Sequence, residues 1–118
     1  MSVKKPKISV LIPVHNGADT LAETVASILN QTFTDFELLL FDDASTDASP
    51  EIINSFADSR IRRFRSDANL GISEARNRLM ELAEGEYLAV MDHDDLSAPR
   101  RLEKQAAWLD NNPEVAMV

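Results

Sequence analysis

The feature that most constrains this chain is a regular alternation of short apolar runs with helically spaced segments. The runs at 8–12, 36–41, 61–65 and 87–91 each have the length of a strand, and three of them are apolar almost throughout. A strand that is apolar on both faces needs cover on both, as in a parallel sheet packed between helices. The run Ile61-Arg62-Arg63-Phe64-Arg65 is more polar and is predicted to be an edge strand.

Between the runs, Leu21, Val25, Ile28 and Leu29 recur at helical spacing, with Thr20 and Glu23 placed as a capping box. Ser49 is predicted to cap a second helix that has Pro50 at its first position and Ile52, Ile53 and Phe56 along its inner stripe. Leu79, Leu82 and Ala83 line a third helix that stops at Gly85. A fourth opens at Ser97 or Pro99, carries Leu102, Ala106 and Leu109 inward, and ends before Pro113. The predicted fold class is therefore α/β: a Rossmann-like, open, mainly parallel sheet flanked by helices, with ligands bound beyond the carboxyl ends of its strands. No repeat, low-complexity tract or linker interrupts the pattern. Residues 114–118 read as the start of a further strand, so the domain is expected to be truncated.

At 118 residues and 44% hydrophobic content the chain suits one domain, with about 65% of the unfolded surface buried on folding. Its net charge of −8 opposes nucleic acid, because binding a phosphate backbone depends on basic residues that displace counterions. Without cysteine, neither a disulfide nor a thiolate metal site can form. No apolar run approaches the ~20 residues of a membrane span, and Lys4, Lys5 and Lys7 lead into too short a stretch for a signal peptide. No membrane segment is expected, and the simplest placement is cytoplasmic.

Three polar clusters directly follow strands: Pro13-Val14-His15-Asn16-Gly17, Asp42-Asp43-Ala44-Ser45-Thr46-Asp47, and Asp92-His93-Asp94-Asp95. Parallel strands would bring all three to one edge of the sheet. Three carboxylates within four residues repel one another unless a cation, protons or water relieves them. Mg²⁺ or Mn²⁺ fits that need, taking one or two carboxylates while phosphates and water complete the shell. The plainer alternative is a set of solvated loop acids favoured by the dipole of the following helix. The Asp42-Asp43 loop has the composition of any strand-to-helix turn, yet follows a strand expected to neighbour that of Asp92, and a carboxylate can accept from a nucleobase imide or a ribose hydroxyl. Pro13 and His15 read either as a simple turn or as the wall of a base pocket, with the imidazole stacked on a nucleobase. Arg60, Arg62, Arg63, Arg65, Arg76 and Arg78 form a basic stretch expected to be mainly solvated. Arg76 is the exception, placed near a helix start after Asn69-Leu70-Gly71, where it can meet a diphosphate or the acidic loop.

Taken in order, these clusters, with Asn30-Gln31-Thr32-Phe33, Ala75-Arg76-Asn77 and Gly85-Glu86-Tyr87 between them, resemble family 2 glycosyltransferases over nearly the whole chain. The resemblance implies a GT-A fold, a nucleotide-diphosphate sugar donor, a UDP-sugar foremost, Mg²⁺ or Mn²⁺, and inversion at the anomeric carbon. It implies that Pro13, His15 and Asn16 border the nucleoside, that Asp43 holds the base, and that Asp92 and Asp94 form the D-x-D pair. Asp94 would bind the metal directly, Asp92 the ribose or a metal-bound water, with Asp95 an outer acid and Arg76 in the donor site. Residues 1–118 would be the donor-binding part of the domain. The acceptor site, for a glycan, lipid carrier or protein, and the general base would lie beyond Val118, so the fragment is expected to bind nucleotide and metal but to transfer sugar poorly. Two positions depart from the common pattern: Ala44 stands where glycine is frequent, and His93 where a small residue is.

Two rival classes fit less well. A nucleotidyltransferase acting on sugar phosphates usually has a glycine-rich, basic loop after its first strand, and Pro13 to Gly17 is neither. A non-enzymatic, Mg²⁺-binding phosphoacceptor module needs a lysine at the end of a later strand, and the only lysine after Asp95 is Lys104, within a predicted helix.

Overall fold

The computed structural model describes residues 5–112; the strand expected at 114–118 lies outside the described residues. The elements are β1 (Ile8–Val14), α1 (Leu21–Leu29), β2 (Phe36–Asp43), α2 (Ser49–Ser55), β3 (Ile61–Ser66), α3 (Ile72–Leu82), β4 (Tyr87–Val90) and α4 (Arg101–Asp110). All pairings are parallel, in the order β3-β2-β1-β4, so β3 is the edge strand its polarity predicts. The acidic loops, however, do not follow neighbouring strands. β1 separates β2 from β4, and the two loops flank it.

Side chains alternate across each strand, and the two faces bury different partners. Val10, Ile12 and Val14 join Leu38 and Leu40 against Leu21, Val25 and Ile28 of α1, Ile53 of α2 and Leu102 of α4. Leu11, Leu39 and Phe41 face the other way, against Ala75 and Leu79 of α3. Leu11 and Leu39 have no exposed surface, and burying each such side chain stabilises the fold by roughly 1.5–3 kcal/mol.

The helix starts differ in detail from those read from sequence. Thr20 occupies the N-cap of α1 without making a capping bond; its hydroxyl instead donates to the carbonyl of His93 at 2.9 Å. Ser49 lies inside α2, behind Ala48 at the N-cap, and its hydroxyl accepts from Gly17 N–H at 3.0 Å. The N-cap of α4 is Arg100, beyond Ser97 and Pro99. In the first two cases a long-range partner takes the hydroxyl that a local cap would have used.

The arginines near β3 have partners, although Arg63 and Arg65 also remain exposed to solvent. Arg60 pairs with Asp58, which is thereby held at a pKa of about 2, and Arg63 donates to the carbonyls of Ile53 and Phe56. Arg62 Nη1 donates to Leu82 O and to Glu37 Oε1, both at 2.9 Å. Glu37 is buried and also accepts from Ser9 Oγ at 2.5 Å and from Glu84 N–H at 2.7 Å, so one carboxylate ties β1, β3 and the α3–β4 turn to β2. Gly85 completes the joint: its N–H donates to Ser9 Oγ at 2.7 Å, and a Cβ there would stand 2.6 Å from Ser9 N.

Burial pushes the Glu37 carboxyl up, but the donors from Ser9, Glu84 and Arg62 outweigh it and hold the group below its ordinary 4.5. Its stabilising effect is therefore complete above that value and is lost as pH falls through the lower folded-state value. Glu37→Gln leaves at least one buried donor facing another. It should destabilise the domain by about 1–3 kcal/mol at pH 7 in urea unfolding, with a smaller difference near pH 3. A variant as stable as the parent at pH 7 would contradict this role.

Candidate donor site

Because the chain runs from β1 through β2 to β3 on one side and returns to β4 on the other, the sheet has a switch point at β1, where open α/β sheets place ligands. A cleft of about 270 Å³ opens there. Pro13 and His15 from the end of β1, Asp43 from β2, Gly71 and Ala75 from α3, and His93 from the β4–α4 loop form its walls. Ile72, 54% exposed, adds an apolar lip.

Asp42 and Asp43 point to opposite faces of β2, so only Asp43 reaches the cleft. Its two oxygens accept from Leu70 N–H at 2.7 Å and Gly71 N–H at 2.9 Å, folding the 69–71 loop over the end of the sheet. Gly71 has φ 87°, in the left-handed region that glycine adopts without penalty. Each Asp43 oxygen retains a further lone pair for a ligand. Asp42 instead accepts from Ser45 N–H and pairs with Arg65 at 3.3 Å.

His15 Nδ1 lies 2.6 Å from the carbonyl oxygen of Asp43. A carbonyl only accepts, so Nδ1 carries the hydrogen, and in the neutral ring Nε2 is left as an acceptor. Asn16 does not wall the cleft. Its carboxamide oxygen accepts from Thr46 N–H at 2.8 Å and Asp47 N–H at 3.3 Å, clamping the first loop to the second.

The third cluster borders the cleft through His93, which lines it between Asp92 and Asp94. Oxygens of Asp92, Asp94 and Asp95 lie within 4.8 Å of one another, and Asp94 and Asp95 are exposed. Asp95 closes its turn by accepting from Asp92 N–H at 3.0 Å. Arg76 Nη2 meets Asp92 Oδ1 at 2.7 Å, while Arg76 Nε is buried without a partner among the described residues. Arg76 pairs with Asp92, and Arg101, whose Nη1 donates to Ser97 Oγ at 3.0 Å, lies near enough to Asp95 to interact with its charge. Two guanidiniums against three carboxylates still leave net negative charge on an all-oxygen set, and these residues fit a hard divalent cation. Of the sequence-predicted residues, Pro13, His15 and Asp43 line the cleft, Arg76, Asp92 and Asp94 stand beside its lining residues Ala75 and His93 without lining it, and Asn16 supports the loops.

Residues 9–118 match the family model for glycosyl transferase family 2. The chain belongs to this family. An uncharacterized glycosyltransferase of Haemophilus influenzae is 41% identical over 109 residues, covering 91% of this chain and 44% of its own length. Among solved structures, S. aureus TarS in complex with UDP aligns with TM-score 0.83 and 29% identity over 89% of this chain and 32% of its own. The mannosyltransferase PcManGT of Pyrobaculum calidifontis, in complex with GDP-Man and Mn²⁺, aligns with TM-score 0.81 and 26% identity over 90% of this chain and 33% of its own. The family 2 chain described here thus spans less than half the length of these relatives, and its open parallel sheet matches their GT-A fold. Among the described residues, no helix is long and apolar enough to cross a membrane.

Ile72 lines the cleft with no sequence signal at all. Ala75 and His93 entered the sequence analysis only within their motifs, with no binding role, yet both are walls, and the His93 ring packs on Gly17, where an added Cβ would lie 2.7 Å from Nδ1.

Ala44, the other departure, adopts φ 54°, a left-handed conformation that costs a non-glycine residue roughly 1–2 kcal/mol. After allowing for the extra chain entropy glycine loses on folding, Ala44→Gly should stabilise the domain by about 0.5–1 kcal/mol. Thermal unfolding checks this, and a lowered midpoint would contradict it.

Proposed function

We propose that this chain is the donor-binding part of an inverting, metal-dependent glycosyltransferase that uses a nucleotide-diphosphate sugar, a UDP-sugar foremost. The observation that carries the reading is the placement of one apolar-walled cleft at the switch point of the sheet, bordered through His93 and Ala75 by three carboxylates and Arg76. TarS in complex with UDP and PcManGT in complex with GDP-Man and Mn²⁺ support a nucleotide-containing ligand and a divalent ion for this reading.

In this reading Pro13 and His15 flank the base, and Asp43, already fixed by two backbone donors, accepts from its imide or from the ribose. Asp94 and Asp92 hold Mg²⁺ or Mn²⁺, and Asp95 shapes the turn between them. The bound ion supplies Lewis-acid neutralisation of charge on the departing diphosphate. Arg76 shares Asp92 with that ion, and its unpartnered Nε is available to a phosphate oxygen once the side chain shifts. Inverting transfer also needs a base for the acceptor's proton. We assign none here and place it, with the acceptor site, in the part of the domain that the longer relatives contain.

Calorimetric titration of UDP with and without Mn²⁺ tests the reading. Binding should strengthen with Mn²⁺, and Asp94→Ala should abolish that gain while leaving the metal-free affinity within about twofold. Binding that ignores the metal, or a variant indistinguishable from the parent, would contradict the assignment.

A further inference from the structure

The polar residues of α1 hydrogen-bond the loop that carries the acidic cluster from one end to the other. Thr20, Thr24, Ser27 and Gln31 are spaced by four, three and four residues, which puts them on one face of α1 and its end. The hydroxyls of Thr20 and Thr24 both donate to the carbonyl of His93, at 2.9 and 2.8 Å. Ser27 Oγ accepts from Ser97 N–H at 3.1 Å. The Gln31 amide donates to Ala98 O at 2.7 Å and accepts from Leu102 N–H at 3.0 Å, satisfying one of the unpaired donors at the start of α4. Thr24 is fully buried and Gln31 is 4% exposed.

These bonds answer a specific physical need. Residues 92–100 form no helix or strand, so their backbone groups need partners from elsewhere. Their carboxylates also repel one another, which favours a splayed loop. The donors on α1 bind the loop backbone, not its acids, and they are neutral. They can therefore oppose splaying without cancelling the negative charge a cation requires.

We propose that Thr20 and Thr24, which bond the His93 carbonyl between the two aspartates, and Ser27 and Gln31, which anchor the far end of the same loop at residues 97, 98 and 102, are positioning residues that hold the Asp92–Asp94 segment in its metal-binding shape from behind. The proposal rests on the donor-site reading above and adds the device that shapes the site. Groups bonded directly to metal ligands typically contribute about 10- to 100-fold to metal affinity, and residues that act through the backbone between the ligands are expected at the low end of that range.

Thr24→Val removes one hydroxyl at nearly constant volume and leaves Thr20 bonded to the same carbonyl, so the fold should survive; Ser27→Ala is a milder second variant. Mn²⁺ uptake in the presence of UDP, followed by electron paramagnetic resonance, should weaken about tenfold in Thr24→Val and recover in Thr24→Ser. UDP affinity in chelator should stay within twofold. Unchanged Mn²⁺ uptake in both Thr24→Val and Ser27→Ala would overturn the proposal. So would a parallel loss of Mn²⁺ uptake, metal-free UDP binding and thermal stability, which would mark these residues as merely structural. If the unmodified protein takes up no Mn²⁺ with UDP, the donor-site reading itself falls and the positioning role falls with it.

Discussion

Every part of the candidate site depends on the burial of β1 between two layers of helix. Val10, Ile12 and Val14 bury one face of the strand against α1, α2 and α4, while Leu11 buries the other against α3. With β1 fixed and its neighbours parallel, the ends of β1, β2 and β4 must open on the same edge of the sheet. The polarity of those three ends then becomes a shared property. A proline-histidine turn and a buried aspartate line one cleft, and an acidic triad up to about eighty residues away in the chain borders it.

Polar side chains at the sheet end that carries the cleft bind its loops to one another. Asp43 illustrates how that polarity is organised: the residue is 3% exposed, its carboxylate held by two backbone donors of the 69–71 loop. Asn16 does the same work between the first two loops, and the α1 hydroxyls do it for the third. The site is thus a set of loops tied to one another by the Asp43 carboxylate and the Asn16 carboxamide and to α1 by neutral hydroxyls and an amide, with three further carboxylates gathered at residues 92–95.

The fold was legible because apolar burial follows local rules. Continuous apolar runs marked β1 and β2 as buried strands, the arginines of β3 marked an edge, and the spacing of Leu21, Val25 and Ile28 marked α1. The helix ends were less legible. Thr20 and Ser49 are good local caps by composition, but their hydroxyls serve His93 and Gly17, and such long-range competition leaves no trace at either position alone. Strand order was likewise hidden, since nothing in the runs says that β4 lies beside β1 rather than β2. At the site, residue type revealed the acids and His15. It gave no role to Gln31, whose amide joins the acidic loop to the start of α4.

The central claim is that nucleotide and cation meet at the carboxyl edge of the sheet, across β1. Amide chemical-shift mapping by NMR tests it most directly, with UDP added first and a trace of Mn²⁺ second. UDP should move the amides of His15, Leu70 and Gly71, and Mn²⁺ should broaden those of residues 92–95 beyond detection while sparing the opposite edge around Lys7 and Glu86. Shifts centred on Lys7 and Glu86, or broadening that leaves residues 92–95 sharp while UDP is bound, would contradict the account.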